Sequence, residues 1–158
     1  MLVTINTDAS YHTKKKWGGY AFWAISNDFK ITKSGLFRFK CKSSDDAEIK
    51  CIINSLKTVL YSHENIHKVI INTDSLNAIG VLTKDNNHIR KYVRLYVDQY
   101  KNLQSIYDKI IHGSKNNVTI EFRHVKAHTG VNDKRSFVNE WCDNEAKKHM
   151  WNKINSNK

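Results

Sequence analysis

One short segment constrains the architecture of this chain more than any other, the run Lys68-Val-Ile-Ile-Asn-Thr-Asp74. Its apolar residues are consecutive and do not alternate, so a strand built from them has both faces covered, as in the parallel sheets of α/β proteins. The stretch before it supplies a covering layer. Over residues 46–62, Ile49, Ile52, Ile53, Leu56, Val59 and Leu60 recur at helical spacing and line one face. Residues 2–7 alternate apolar and polar, the pattern of a strand ending at Asp8. Gly18-Gly19 opens a second strand that runs to Ile25, and a third covers about residues 30–39 after the Asn27-Asp28 turn, so an antiparallel meander precedes the helix. Beyond Asp74 the sequence predicts a short helix over 75–82 and a longer one over 88–111 that Gly113 stops. A strand over 117–123 and a final helix, capped by Ser136 and running to about Met150, complete the chain. The order βββαβααβα is an α/β mixture with a meander at one end.

No repeat and no proline- or glycine-rich linker divides the sequence, so residues 1–151 are expected to form one domain, with 152–158 a frayed tail. Of 158 residues, 26 are Lys or Arg and 15 are Asp or Glu, a net charge of +11, while 40% are hydrophobic. That is too apolar for a disordered basic tail, so the excess charge belongs on the outside of a folded body and calls for a polyanionic partner. No apolar run of membrane-spanning length and no signal or lipidation motif directs the chain to a membrane, and the expectation is a soluble, cytoplasmic protein that meets nucleic acid. Cys41, Cys51 and Cys142 are odd in number and lack paired zinc-ligand spacing. They read as free thiols in a reducing compartment, with no zinc module and no disulfide-linked partner. The wealth of Lys, Asn and Ile suits an AT-rich coding sequence, as in some phages, viruses and low-GC bacteria.

Chemistry is concentrated in four acids. Thr7-Asp8-Ala9-Ser10 ends the first strand and Thr73-Asp74-Ser75 ends the fourth. If those strands are parallel neighbours, both carboxylates project at the carboxyl edge of the sheet, where open α/β sheets place their ligand crevices. Glu48 starts the first long helix and Asp143 lies in the last. Converging carboxylates repel one another unless cations neutralise them, and hard divalent ions bound by carboxylate and water oxygens meet that need. Two such ions about 3.5 to 4 Å apart activate a water and stabilise the leaving oxygen of a phosphodiester. Taken singly, each acid also has a structural reading. Asp8 could serve an Asx-turn, Glu48 a capping box with Asp45, and Asp74 the cap of the next helix.

Taken together, Thr7-Asp-Ala-Ser10, Asp46-Ala-Glu48, Thr73-Asp-Ser75, and His124-Val-Lys-Ala-His128-Thr-Gly130 followed by Asn139-Glu-Trp-Cys-Asp143 resemble the ribonuclease H family, type 1, over about residues 2–150. The resemblance implies a five-stranded mixed sheet in the order 3-2-1-4-5, with strand 2 antiparallel and helices flanking it. It also implies Mg2+- or Mn2+-dependent endonucleolytic cleavage of the RNA strand of RNA/DNA hybrids, leaving 5′-phosphate and 3′-hydroxyl ends. By the same resemblance Asp8, Glu48, Asp74 and Asp143 hold two metal ions. His128 sits on a loop that assists proton transfer or product release. The chain departs from the family pattern where Tyr11-His-Thr-Lys-Lys-Lys16 replaces a glycine-rich turn, where Ser44-Asp45 replaces an Asn pair, and at Leu76. The longer interval from His128 to Asp143, with Ser136 and Asn139 in it, resembles the form found among viral and related enzymes.

Basic residues gather at Lys14, Lys15 and Lys16, at Arg38, Lys40 and Lys42, at Arg90, Lys91 and Arg94, and around Lys126, Lys134 and Arg135. Each run alone is an ordinary solvated face, but the first and last border the acids, where phosphates approach. From these clusters the expected substrate contacts are Lys14, Lys15, Lys16, Trp17, Arg90, Lys91, Arg94 and Lys126, and the family resemblance adds Ser10, Ser44 and Asn139. Tyr92, Tyr96 and Tyr100 fall on one helical stripe, which more often means core or a subunit contact than a stacking surface. The leading expectation is a monomeric hydrolase of RNA/DNA hybrids. A DNA nuclease or junction resolvase on the same fold, and a non-catalytic hybrid-binding module, stand as alternatives.

Overall fold

The computed structural model of the protein describes residues 1–84, 100–113, 117–125 and 134–156. Its elements in chain order are β1 (Leu2–Tyr11), β2 (Gly18–Ile25), β3 (Lys30–Leu36), α1 (Ser44–Ser62), β4 (Lys68–Thr73), α2 (Leu76–Thr83), α3 (Lys101–Gly113), β5 (Thr119–His124) and α4 (Lys134–Ser156). The five strands form one sheet in the order β3-β2-β1-β4-β5. Strands β1, β2 and β3 pair antiparallel as the expected meander, whereas β4 joins β1, and β5 joins β4, in parallel.

The apolar periodicity of α1 has its expected use. Ile49, Ile52, Leu56 and Val59 pack onto Val3, Ile5, Phe22, Val69 and Ile71 from the sheet, and α3 closes the same core through Tyr107 and Ile110. The opposite face is thinner and is covered by α4, where Cys142 and Ala146 meet Ala21. Helix and sheet approach closely at Gly19: a methyl group there would stand 2.0 Å from the Ala146 carbonyl oxygen. Only glycine fits. Ser34 on β3 ties α4 down further, since its hydroxyl donates to Glu145 at 3.0 Å and lies 3.0 Å from His149 Nε2.

Several boundaries differ from the sequence expectation. β1 continues past Asp8 to Tyr11, held by the pairs Asp8↔Ala21 through Tyr11↔Gly18. β3 ends at Leu36, because Phe37 turns inward to pack with Cys41, Ala47 and Cys51. α1 starts at Ser44 with Ser43 as its cap, its Oγ accepting from Asp46 N–H, so Asp45 is not the cap. Ser136 lies inside α4 and does not begin it. The expected frayed tail is corrected as well: α4 runs on to Ser156, and Ile154 is buried. The first part of the expected 88–111 helix lies outside the described residues, while Tyr100 is buried and hydrogen-bonded to Ser43 at 3.1 Å. All three cysteines are free and buried. Among the described residues no helix is long and apolar enough to cross a membrane.

Candidate active site

The parallel register Asn6↔Asn72 between β1 and β4 carries Asp8 and Asp74, each two residues on, to the same level of the sheet. Both side chains then rise from the same face. Glu48 reaches them from the beginning of α1. Asp8, Glu48 and Asp74 each bring a carboxylate oxygen within 4.8 Å of the other two. Asp143 approaches from α4 closely enough to share a side-chain hydrogen bond with Asp8. Its other visible partner is Lys147, one turn on, at 3.0 Å. Three of the four acids thus share one spot, and Asp143 stands beside them on the Asp8 side.

The structural alternatives for these acids are largely taken by other residues. Ser75 caps α2, its Oγ accepting from Ala78 N–H at 3.0 Å, so Asp74 is not needed there. Ser43 does the same for α1 and frees Glu48 from a capping role. Asp8 does accept locally, from Ala9 N–H at 2.9 Å, but that bond leaves its crowding unrelieved. Burial first, then the charges of Asp74 and Asp143, push the Asp8 carboxyl up to about 8. Glu48 is raised well above the usual carboxylate range by burial and then by Asp8 and Asp74. Its Oε2 is buried with no hydrogen-bond partner. A buried carboxylate oxygen without a donor is costly. A hard cation placed among these oxygens would relieve both the missing bond and the mutual repulsion, so the residues present fit a divalent ion.

Exposure is graded across the cluster. Glu48 is buried, Asp8 and Asp143 are half-buried and Asp74 is exposed, so access is from the Asp74 side. Thiols line the floor: Cys51 Sγ lies 3.3 Å from the Asp8 carbonyl, and Cys142 Sγ lies 3.7 Å from that of Asn6. Burial holds the Cys142 thiol up at about 12 and raises Cys51 strongly, so both stay protonated and inert.

Sequence reasoning missed three supports. Asn72 Nδ2 donates to Asn6 Oδ1 at 3.2 Å, a buried cross-strand pair one step below Asp8 and Asp74. Asn77 on α2 donates to both oxygens of Asp45 on α1, at 3.2 and 3.3 Å. His124 Nε2 lies 3.1 Å from the Asp74 carbonyl oxygen. The alternating pattern of β1 together with the Asn at the same place in β4 was the available signal for the first; nothing local marks the other two.

The expected substrate contacts are distributed unevenly. Ser10 lies 3.4 Å from Met150 Sδ, Ser44 is exposed at the start of α1, and Asn139 is half-buried on α4 one turn before Asp143. Lys14, Lys15 and Lys16 are exposed in the β1–β2 turn beside half-buried Trp17. Arg90, Lys91, Arg94, Lys126 and His128 lie outside the described residues.

A model of the RNase H family matches residues 2–150. No curated protein matches the chain. Among solved structures, LC11-RNase H1 in complex with RNA/DNA hybrid is similar with a TM-score of 0.67 at 11% identity, over 96% of this chain and 99% of that one. RNase H1 from the halophilic archaeon Halobacterium salinarum gives 0.66 at 14% identity, over 96% and 99%. The N-terminal RNase H domain of a Mycobacterium tuberculosis protein, solved as a fusion with maltose binding protein, gives 0.61 at 15% identity, over 95% and 99%. The sheet order and flanking helices are those of the RNase H-like fold, and with the family model matched over nearly its whole length the chain belongs to the RNase H family.

Proposed function

We propose that this protein is a metal-dependent endonuclease that hydrolyses the RNA strand of RNA/DNA hybrids to 5′-phosphate and 3′-hydroxyl products. The observation that carries the reading is the partnerless Glu48 oxygen inside a cluster of mutually repelling carboxylates. Asp8, Glu48, Asp74 and Asp143 hold two Mg2+ ions, with Mn2+ able to replace them. When bound, such ions supply Lewis acidity, lowering the pKa of a bound water and neutralising charge on the leaving oxygen. The protein's own contribution is to fix the acids before substrate arrives: β1 and β4 set the spacing of Asp8 and Asp74, α1 holds Glu48 and α4 brings Asp143. Exposed Asp74 marks the side on which the scissile phosphate enters. His128 moves a proton or helps release product, a role that rests on the family resemblance. Discrimination of RNA from DNA comes from contacts to the 2′-hydroxyl, for which Ser10, Ser44 and Asn139 are the nearest polar candidates. Lys14, Lys15, Lys16, Trp17, Arg90, Lys91, Arg94 and Lys126 meet the phosphate backbone and sugars. One copy of the chain carries the whole carboxylate set, which favours a monomer, and three free thiols suit the reducing cytoplasm.

The test is cleavage of labelled RNA/DNA hybrid, double-stranded RNA, double-stranded DNA and single-stranded RNA, each with Mg2+ and with EDTA. Hybrid alone should be cut, and only with metal. Asp74→Asn keeps the side-chain shape but loses the charge, and should lower hybrid cleavage by several orders of magnitude with the fold intact. Cleavage near the parental rate by that variant, or a preference for double-stranded DNA, overturns the assignment.

A further inference from the structure

Beside the carboxylates lies a surface that their chemistry does not use. The turn between β1 and β2 is held by His12 N–H donating to the Trp17 carbonyl at 3.0 Å and Lys16 N–H to the His12 carbonyl at 2.7 Å. Lys16 takes a left-handed φ of 64°, and Lys14, Lys15 and Lys16 all stand in solvent. The end of α4 packs against this turn. Trp151 meets the His12 ring edge-on with centroids 5.5 Å apart, and the Lys153 ammonium lies 4.9 Å from the Trp17 ring centre. Lys40 approaches the same ring at 5.9 Å, and next to it Arg38 lies over Phe39.

Two properties combine on this surface. None of its cations forms an ion pair with a described carboxylate, whereas Lys50, Lys68, Lys84 and Lys147 elsewhere each have one. It also exposes aromatic rings, Trp151 at 46% and Phe39 at 70%. Unpaired cations suit any phosphate backbone. Exposed rings do not serve a duplex, whose bases are already stacked, but they do serve unpaired bases, each of which presents a π-face.

Its distance from the acids follows from two independent elements. Four residues of extended chain from Asp8 to His12 span about 13 Å. Eight residues of helix from Asp143 to Trp151 span about 12 Å. With one phosphate per strand for every roughly 3.4 Å of helix axis, either distance corresponds to about four stacked nucleotides.

We propose that this aromatic and basic surface holds a single-stranded tail running off the hybrid, about four nucleotides from the carboxylates, with bases against Trp151 and Phe39 and phosphates on Lys40 and Lys153. The inference rests on the hybrid-nuclease reading and adds a preference for hybrids that end in unpaired nucleotides. Fluorescence anisotropy in EDTA, where cutting is withheld, tests it with one duplex prepared blunt, or with a tail of about six nucleotides on the RNA or the DNA strand at either end, or lengthened as blunt duplex. One tail polarity should bind at least about fivefold tighter than the blunt form, the effect of one stacked base. That advantage, taken as the ratio of the two Kd values, should vanish in Trp151→Ala and shrink in Lys153→Glu and Phe39→Ala. The last two variants alter exposed side chains and keep the test open if Trp151→Ala does not fold. No gain from any tail, an equal gain from lengthened blunt duplex, or an advantage that survives in the folded variants overturns the proposal. Failure to bind any hybrid overturns instead the reading on which it rests.

Discussion

Asp8 illustrates how much of the site's energetics sits in single side chains. Its carboxyl rises from 3.8 to about 8 through burial and the charges of Asp74 and Asp143. A folded-state pKa raised above the unfolded value means that the native state holds the proton more tightly. The stability this group contributes is full below about pH 4 and is lost as pH rises through about 8. Glu48 shifts in the same direction. A divalent cation opposes the repulsion that drives both shifts, so Mg2+ should raise Tm more at pH 8 than at pH 5. Asp8→Asn should be more stable than the parent in EDTA at pH 8 and should lose much of the Mg2+ increment. Thermal melts at both pH values, with and without metal, check this; an increment independent of pH and untouched by the substitution would contradict it. The acids were legible in the sequence because residue type, order and position in each element agree on one chemistry. Their supports were not, because Asn77 meets Asp45 and His124 meets the Asp74 carbonyl only after separate elements have been brought together.

At the scale of elements, α4 is the piece whose seating decides the geometry, since it alone carries Asp143. Its seat depends on Gly19, where an added methyl group would collide with the Ala146 carbonyl carbon and oxygen and approach Met150 N to 3.0 Å. Gly19→Ala should therefore lift the helix from β2, costing about 1–3 kcal/mol as overpacking and lowering cleavage beyond the loss of stability, because Asp143 moves with the helix. Denaturant melts and hybrid cleavage well below the melting temperature separate the two effects. The bridge from Ser34 to Glu145 and His149 acts on the same helix from the edge strand. His149→Ala should lower Tm modestly and leave Asp143 seated through the Gly19 contact, which urea melts and the cleavage assay read out. α1 and β4 were legible because their own apolar spacing reports which faces are buried. The end of β1 was not, since the pairs from Asp8↔Ala21 to Tyr11↔Gly18 and not an alternating pattern hold it straight. Nor was the last turn of α4, where the single residue Ile154 anchors a polar stretch.

For the molecule as a whole, a net charge of +11 surrounds a pit of carboxylates. On the proposed function the two signs have different work: the outer charge would draw phosphates in, and the inner charge would be kept for cations. Affinity for hybrid should accordingly fall steeply with salt, because each phosphate contact releases condensed counterions. Neutralising Lys14, Lys15 and Lys16 together should reduce the slope of log affinity against log salt by about 2 to 3, and titrations at several salt concentrations measure it; an unchanged slope would place those lysines away from the substrate. The overall charge was readable from composition, but its concentration beside α4 was not, because Lys40 and Lys153 come from distant parts of the chain to the same tryptophan. That distance matters in time as well as in space. β1, α1 and β4 bring Asp8, Glu48 and Asp74 within the first 74 residues, while Asp143 arrives about 70 residues later on α4. A polypeptide emerging from the ribosome's exit tunnel thus presents three of the four acids before α4 can dock, so on the proposed function hydrolytic competence should wait for that docking.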